Sequence, residues 1–294
     1  MTDTCLPPLI QQMLQPEFYP HSVTEPVQLI QTHGSFVILT GDYVYKIKKP
    51  VDFGFFDYST LEKRQHFCHQ ELQMNQRTAA EIYLEVLPIV QIGDRFQFVT
   101  DLSSPTAAER TVEYALKIRE FPQESLFLNL LERGLLTEQV MENLGRELAK
   151  FHNSTQTNNY ISKFGEPSQI RKSIDNHYLI SQKYIGGVQT QTQYQETKAY
   201  TDSFFAKNQE LFDSRIANHK IRECHGDVHL QNIALWQDKI LLFDCIEFNE
   251  DFRFVDVMYD VAFTLMDLEA RGRRDLENST KKMIQQLCGF SENF

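Results

Sequence analysis

Asp227, Asn232 five positions later, and Asp244 behind the apolar run Ile240-Leu241-Leu242-Phe243 form an ordered set of oxygen donors. Transfer of a phosphoryl group to a hydroxyl needs such a set. One carboxylate accepts the hydroxyl proton, while an amide oxygen and a second carboxylate hold Mg²⁺ on the nucleotide phosphates. Two other readings of the same stretch stand beside this one. His225, Asp227 and His229 are residue types that ligate zinc, which would make the chain a metal-dependent hydrolase, but that leaves Asn232 and Asp244 without a role. The chain could also bind a nucleotide as a regulatory module and leave the chemistry unused.

The wider pattern carries a resemblance. His225-Gly226-Asp227-x-x-x-x-Asn232, then Phe243-Asp244, then Tyr259-Asp260-Val261-Ala262, resembles the aminoglycoside phosphotransferase and choline kinase superfamily. It is similar above all to bacterial aminoglycoside phosphotransferase-like proteins, many of which carry a C-terminal P-loop kinase domain. Gly226 stands where protein kinases carry Arg in the catalytic loop. The likeness covers residues 27–273. It implies an α+β fold of the bilobal protein-kinase-like kind: an antiparallel N-lobe sheet with one long helix, over residues 1–120 with an N-terminal extension, and a mainly helical C-lobe over 121–294. It also implies ATP and Mg²⁺ as cofactors and a small molecule with a free hydroxyl as acceptor.

Site roles follow residue by residue from that resemblance. Asp227 is the base, and Asn232 and Asp244 are the Mg²⁺ ligands. Lys46 in Tyr45-Lys46-Ile47 is the phosphate anchor, with Lys48 the runner-up on the same strand face, and Glu71 is the partner of the strand lysine. The turn at Gly34 and Ser35 lies over the phosphates. Lys117-Ile118-Arg119-Glu120-Phe121-Pro122 is the hinge, whose backbone N–H and C=O groups, those of Lys117 and Arg119 among them, would hydrogen-bond an adenine edge. Asp260 holds the catalytic loop, and His225 braces it. Glu247 either adds a carboxylate to the metal site or pairs locally with Arg253. Asp52-Phe53-Gly54 spells the kinase metal motif, but it precedes the loop by far too much chain and reads as a turn.

The elements that must position these residues are readable from periodicity. A period of two over residues 27–32, 36–40 and 43–48 predicts three strands, with Gly41-Asp42 suited to a two-residue hairpin. Lys49-Pro50 ends the third. Ser59-Thr60-Leu61-Glu62 reads as a capping box opening a helix to about residue 78. Residues 84–92, 95–102 and 111–119 complete the sheet. Helices are expected near 123–133, 137–153, 166–184, 191–217 and 255–269, with an amphipathic tail from 271 to about 288. Leu9, Ile10 and Leu14 suggest a short N-terminal helix.

Composition excludes some partners. The net charge of −11 argues against nucleic acid and suits a cationic acceptor. No apolar run reaches the length of a membrane span, and the first thirty residues do not read as a signal peptide. Five cysteines without a Cys-x-x-Cys spacing read as reduced thiols in a cytoplasmic protein. No P-loop motif occurs, so a P-loop kinase partner would be a separate chain.

Overall fold

The structure is a computed structural model and describes residues 6–23, 26–99, 111–276 and 278. Two compact units divide the chain. One comprises Met1–Thr137 with His229–Asn249, and the other Glu138–Val228 with Glu250–Phe294.

The first unit is built on a six-stranded antiparallel sheet. Its strands are β1 (Gln28–Gln31), β2 (Ser35–Leu39), β3 (Tyr43–Lys48), β4 (Tyr83–Ile92), β5 (Arg95–Phe98) and β6 (Thr111–Arg119), in the order β1-β2-β3-β6-β4-β5. The turns explain the pairing. Thr32 closes the first, donating its N–H to the Ser35 carbonyl at 3.0 Å and accepting the Ser35 N–H on Oγ1. Gly41 turns the second with φ 92°, a conformation a side chain would strain. Alternation then sorts β3 cleanly. Tyr45 and Ile47 enter a core with Phe36, Ile38, Leu87, Ile89 and Ala115. The helix α1 (Pro8–Met13) and Tyr19 cover this core through Ile10 and Met13. Lys46 and Lys48 therefore face the opposite side.

On that opposite side lies α2 (Leu61–Ala79). Its N-cap is Thr60, whose hydroxyl accepts the Lys63 N–H, while Ser59 is taken up by Asp57. The cap thus sits one residue later than the expected box. Arg64, buried in the first turns of α2, bonds Glu113 of β6 through Nε at 2.8 and 3.0 Å. The same unit contains the hairpin Ile233–Trp236 and Lys239–Leu242, turned by Gln237 and Asp238 at φ 51° and 62°. Leu241 packs with Ala79, Ile82, Tyr83, Leu116 and Ile118.

The second unit is helical. Its helix Glu138–Ser154 buries Met141, Leu144, Leu148, Ala149 and His152, recurring at three and four residues. Helices Pro167–Ser181, Gln191–Lys207, Gln209–Ala217 and Val257–Ala270 follow. The helix expected over 191–217 is broken at Asn208, whose φ of −117° leaves the helical region. In the first unit, the segment near 123–133 is a 3₁₀ turn (Gln123–Ser125) followed by the short helix Phe127–Glu132. Two short strands that periodicity misses, Ile221–Glu223 and Phe254–Asp256, pair antiparallel. Gly165 meets the first so closely that a Cβ there would lie 2.4 Å from Ile221. Residues 100–102 and most of the expected tail helix lie outside the described residues. Cys68, Cys224 and Cys245 are buried, and no helix of the described residues is long and apolar enough to cross a membrane.

Candidate active site

One face of α2 organises the charged centre of the first unit. Glu71, Asn75 and Thr78 recur at helical spacing, and they meet the lysine strand, the segment after the 233–242 hairpin and the end of that hairpin in turn. Glu71 Oε1 accepts Lys46 Nζ at 2.7 Å, and its Oε2 accepts Lys48 Nζ at 2.7 Å. Asn75 Oδ1 accepts the Cys245 N–H at 2.9 Å, and Thr78 Oγ1 donates to the Leu242 carbonyl at 2.6 Å. Arg77 adds a contact to Cys245 Sγ.

These bonds fix Asp244 in an unusual backbone conformation, φ 60°, its N–H donating to the Tyr83 hydroxyl at 3.1 Å. A non-glycine residue there is strained by about 1–3 kcal/mol and persists only where its surroundings hold it. Its carboxylate, 46% exposed, accepts Lys46 Nζ at 2.6 Å. Burial opposes the charge on Lys46, but Asp244 and Glu71 outweigh it and hold its pKa well above the ordinary lysine value. Burial likewise works against the Glu71 carboxylate, and the two lysines overcome it and lower its pKa.

Lys46 and Asp244 stand on the wall of a cavity of about 210 Å³ within this unit. Val44, Ile118, Phe121 and Phe243 make part of that wall apolar, and the last two rings meet edge-on at 5.3 Å. The wall thus offers apolar side chains that suit a planar base and charged ones that suit phosphate and a cation. Asp244 and Asn232 bring hard oxygen donors, the kind magnesium takes. Asn232 is buried, and its carbonyl accepts the Phe243 N–H at 3.0 Å, which ties the two donor residues together through the backbone.

The other expected cofactor residues divide. Arg119, Glu120 and Phe121 line the cavity, whereas Lys117 is engaged with Glu85 at 3.0 Å and with the Tyr43 ring. Thr32 lines it from the first turn; Ser35 is buried, and Gly34 backs onto the Phe56 ring.

In the second unit, Asp260 holds the loop that bears Asp227. Its carboxylate is fully buried and accepts the His225 N–H at 3.0 Å, the Gly226 N–H at 2.7 Å and His152 Nε2 at 2.9 Å. Burial raises the Asp260 pKa, but His152, His225 and the N–H donors bring it below the usual value. Thr264, four residues on along the same helix, donates to the Val228 carbonyl at 2.7 Å. Gly226 adopts φ 88°, which explains a glycine beside the acid. Asp227 is half-buried, with its N–H on His225 Nδ1 at 3.3 Å.

Among the described residues, the one His/Cys/Asp/Glu group close enough to hold a metal is His152, Cys224 and Asp260. It does not include Asp227 or His229, and its Asp260 oxygens already hold the loop. His229 Nδ1 accepts the Gln231 N–H. Sequence reasoning missed Asn75, Thr78, Tyr83 and His152. The polar spacing of Glu71, Asn75 and Thr78 on one helix face was the available signal.

No family model matches the chain. Uncharacterised proteins of Mycobacterium tuberculosis and Mycobacterium bovis are each 30% identical to it over 258 residues. The matched part is 87% of this chain and 49% of theirs, so the chain spans about half the length of the curated relatives it matches. Among solved structures, a choline/ethanolamine kinase family protein from Mesorhizobium loti superposes with a TM-score of 0.51 at 12% identity. The match covers 95% of this chain and 76% of that one. The chain has the protein-kinase-like fold of the superfamily that its motifs resemble.

Proposed function

We propose that the chain is an ATP- and magnesium-dependent phosphotransferase acting on a hydroxyl of a small molecule. The observation that carries this reading is Lys46, held between Glu71 and Asp244 on the wall of a cavity that Val44, Ile118, Phe121 and Phe243 also line. A metal hydrolase has no use for that lysine. When bound on Asp244 and Asn232, magnesium would neutralise charge on the transferring phosphoryl group.

The chain's own groups supply the rest. Lys46 exchanges Asp244 for phosphate oxygens, which frees the carboxylate for the cation. Phe121 and Phe243 face the base. Asp227, on the loop braced by Asp260, takes the proton of the acceptor hydroxyl as its oxygen bonds the γ-phosphorus and the bond to the bridging oxygen of ADP breaks. The net charge of −11 suits a cationic acceptor.

The test is Asp227→Asn, which keeps size and a hydrogen-bonding group but cannot take the proton. With ATP and a panel of sugar, amino-alcohol and aminoglycoside acceptors, transfer should fall by roughly 10²–10⁴-fold. Binding of Mg-ATP should match the parent. A parent inactive with every acceptor, matched by the variant in binding, would mark the chain as a nucleotide-responsive module.

A further inference from the structure

Lys48 has the same strand face as Lys46 and a different fate. Its side chain is 2% exposed and lies between Glu71 Oε2 at 2.7 Å and Glu247 Oε1 at 2.5 Å. The Tyr58 hydroxyl donates to the same Glu247 oxygen at 2.8 Å. Glu71 is therefore divided, one oxygen to each lysine. Each lysine also takes one acid from the segment that starts at Asp244: Lys46 takes Asp244 itself, and Lys48 takes Glu247 three residues on.

The two halves of this arrangement differ in access. Asp244 is 46% exposed on the cavity wall, whereas the Glu247 side chain is 5% exposed. Glu247 is thus buried away from any cation that Asp244 would meet, and its Oε1 already accepts two donors. When Lys46 turns to phosphate, Glu71 loses one of its two ammonium partners and keeps the other. Lys48 then still joins Glu71 of α2 to Glu247, beside the contacts that Asn75 and Arg77 make with Cys245.

The loop between β3 and α2 closes over this point. Phe56 packs on Phe248 at 5.4 Å between ring centres, and Asn249 Nδ2 donates to the Phe55 carbonyl at 3.2 Å. Phe56 also backs Gly34 in the first turn. The segment carrying the metal acid is thereby anchored at its far end by Tyr58, Phe56 and Lys48 together.

We infer that Lys48, through the buried Lys48–Glu247–Tyr58 cluster, is a positioning residue that sets Asp244 for a divalent cation without touching nucleotide or metal itself. This rests on the phosphotransferase reading. Groups that orient a metal ligand from behind are worth roughly 10–100-fold in metal affinity.

The experiment measures ADP affinity with magnesium and with EDTA, and takes the ratio of the two dissociation constants as the magnesium gain. A general loosening of the fold weakens both affinities and leaves the ratio alone. Lys48→Met and Glu247→Gln should each lower the magnesium gain by roughly tenfold or more, with ADP affinity in EDTA near the parent's. Tyr58→Phe should lower it in the same direction by less. If Lys48→Met does not fold, Glu247→Gln, which keeps the shape but takes the carboxylate charge out of both contacts, decides with Tyr58→Phe. Folded variants with the parent's full magnesium gain overturn the inference and leave the phosphotransferase reading standing. A parent with no magnesium gain removes both.

Discussion

At the scale of single residues, two aspartates with similar surroundings in sequence separate completely in structure. Asp52, in the stretch Asp52-Phe53-Gly54, accepts the Gly54 N–H at 2.8 Å and closes its own turn. Asp244 follows an apolar strand, is held at positive φ and reaches Lys46. The tripeptide spelling is the same as a kinase metal motif in the first case and absent in the second, so on the proposed reading geometry and not spelling marks the acid. Asp52→Ala should leave Mg-ADP binding near the parent value and cost no more than about 1 kcal/mol of stability, as a local turn bond does. Asp244→Ala should abolish the magnesium-dependent part of the binding. Calorimetric titration of both variants checks this, and the reverse pattern would place the metal acid in the β3–α2 loop.

At the scale of elements, the helix Val257–Ala270 braces the loop that bears Asp227 by presenting Asp260 and Thr264 one turn apart. Asp260 binds its donors as a carboxylate, so its pKa is lower folded than unfolded. A depressed carboxylate stabilises the fold above its unfolded pKa, near 3.9, and the contribution is lost as pH falls through the folded value. Asp260→Asn should destabilise the protein by about 1–3 kcal/mol at neutral pH, the cost of poorly satisfied buried donors. Denaturant melts of parent and variant should converge as pH drops below about 4; a gap that stays constant down to the lowest accessible pH would mean the charge is not what holds the loop.

The same scale shows what the sequence reveals and what it hides. Strand β3 is bounded at residues 43–48 by periodicity alone, and β6 at 111–119. Local patterns suffice there, because alternation and turn glycines are written in neighbouring residues. The Lys48–Glu247 pair joins residues 199 apart, and no local period records it. Glu247 therefore stays ambiguous between a metal ligand and a partner of Arg253 until the fold is seen. In the structure Arg253 pairs with Glu223 at 3.1 Å. The break at Asn208 is hidden for the opposite reason: the apolar spacing runs on past it, and only the backbone angle shows two helices.

At the scale of the whole molecule, the chain spans about half of its curated relatives, which raises the question of what it can do alone. Lys46, Glu71, Asp244, Asn232 and the cavity all belong to one compact unit of this chain. On the proposed reading, the isolated chain is therefore expected to bind nucleotide without an acceptor. Ligand at about a hundredfold over its dissociation constant stabilises the folded state by roughly 2.7 kcal/mol. The thermal midpoint of the isolated chain should accordingly rise with Mg-ADP, rise less with ADP in EDTA, and stay unchanged with zinc. Oxygen donors at Asp244 and Asn232 favour the harder cation. A midpoint indifferent to nucleotide but raised by zinc would shift the chemistry to the histidines around Asp227, and the lysine centre would then be only a structural device.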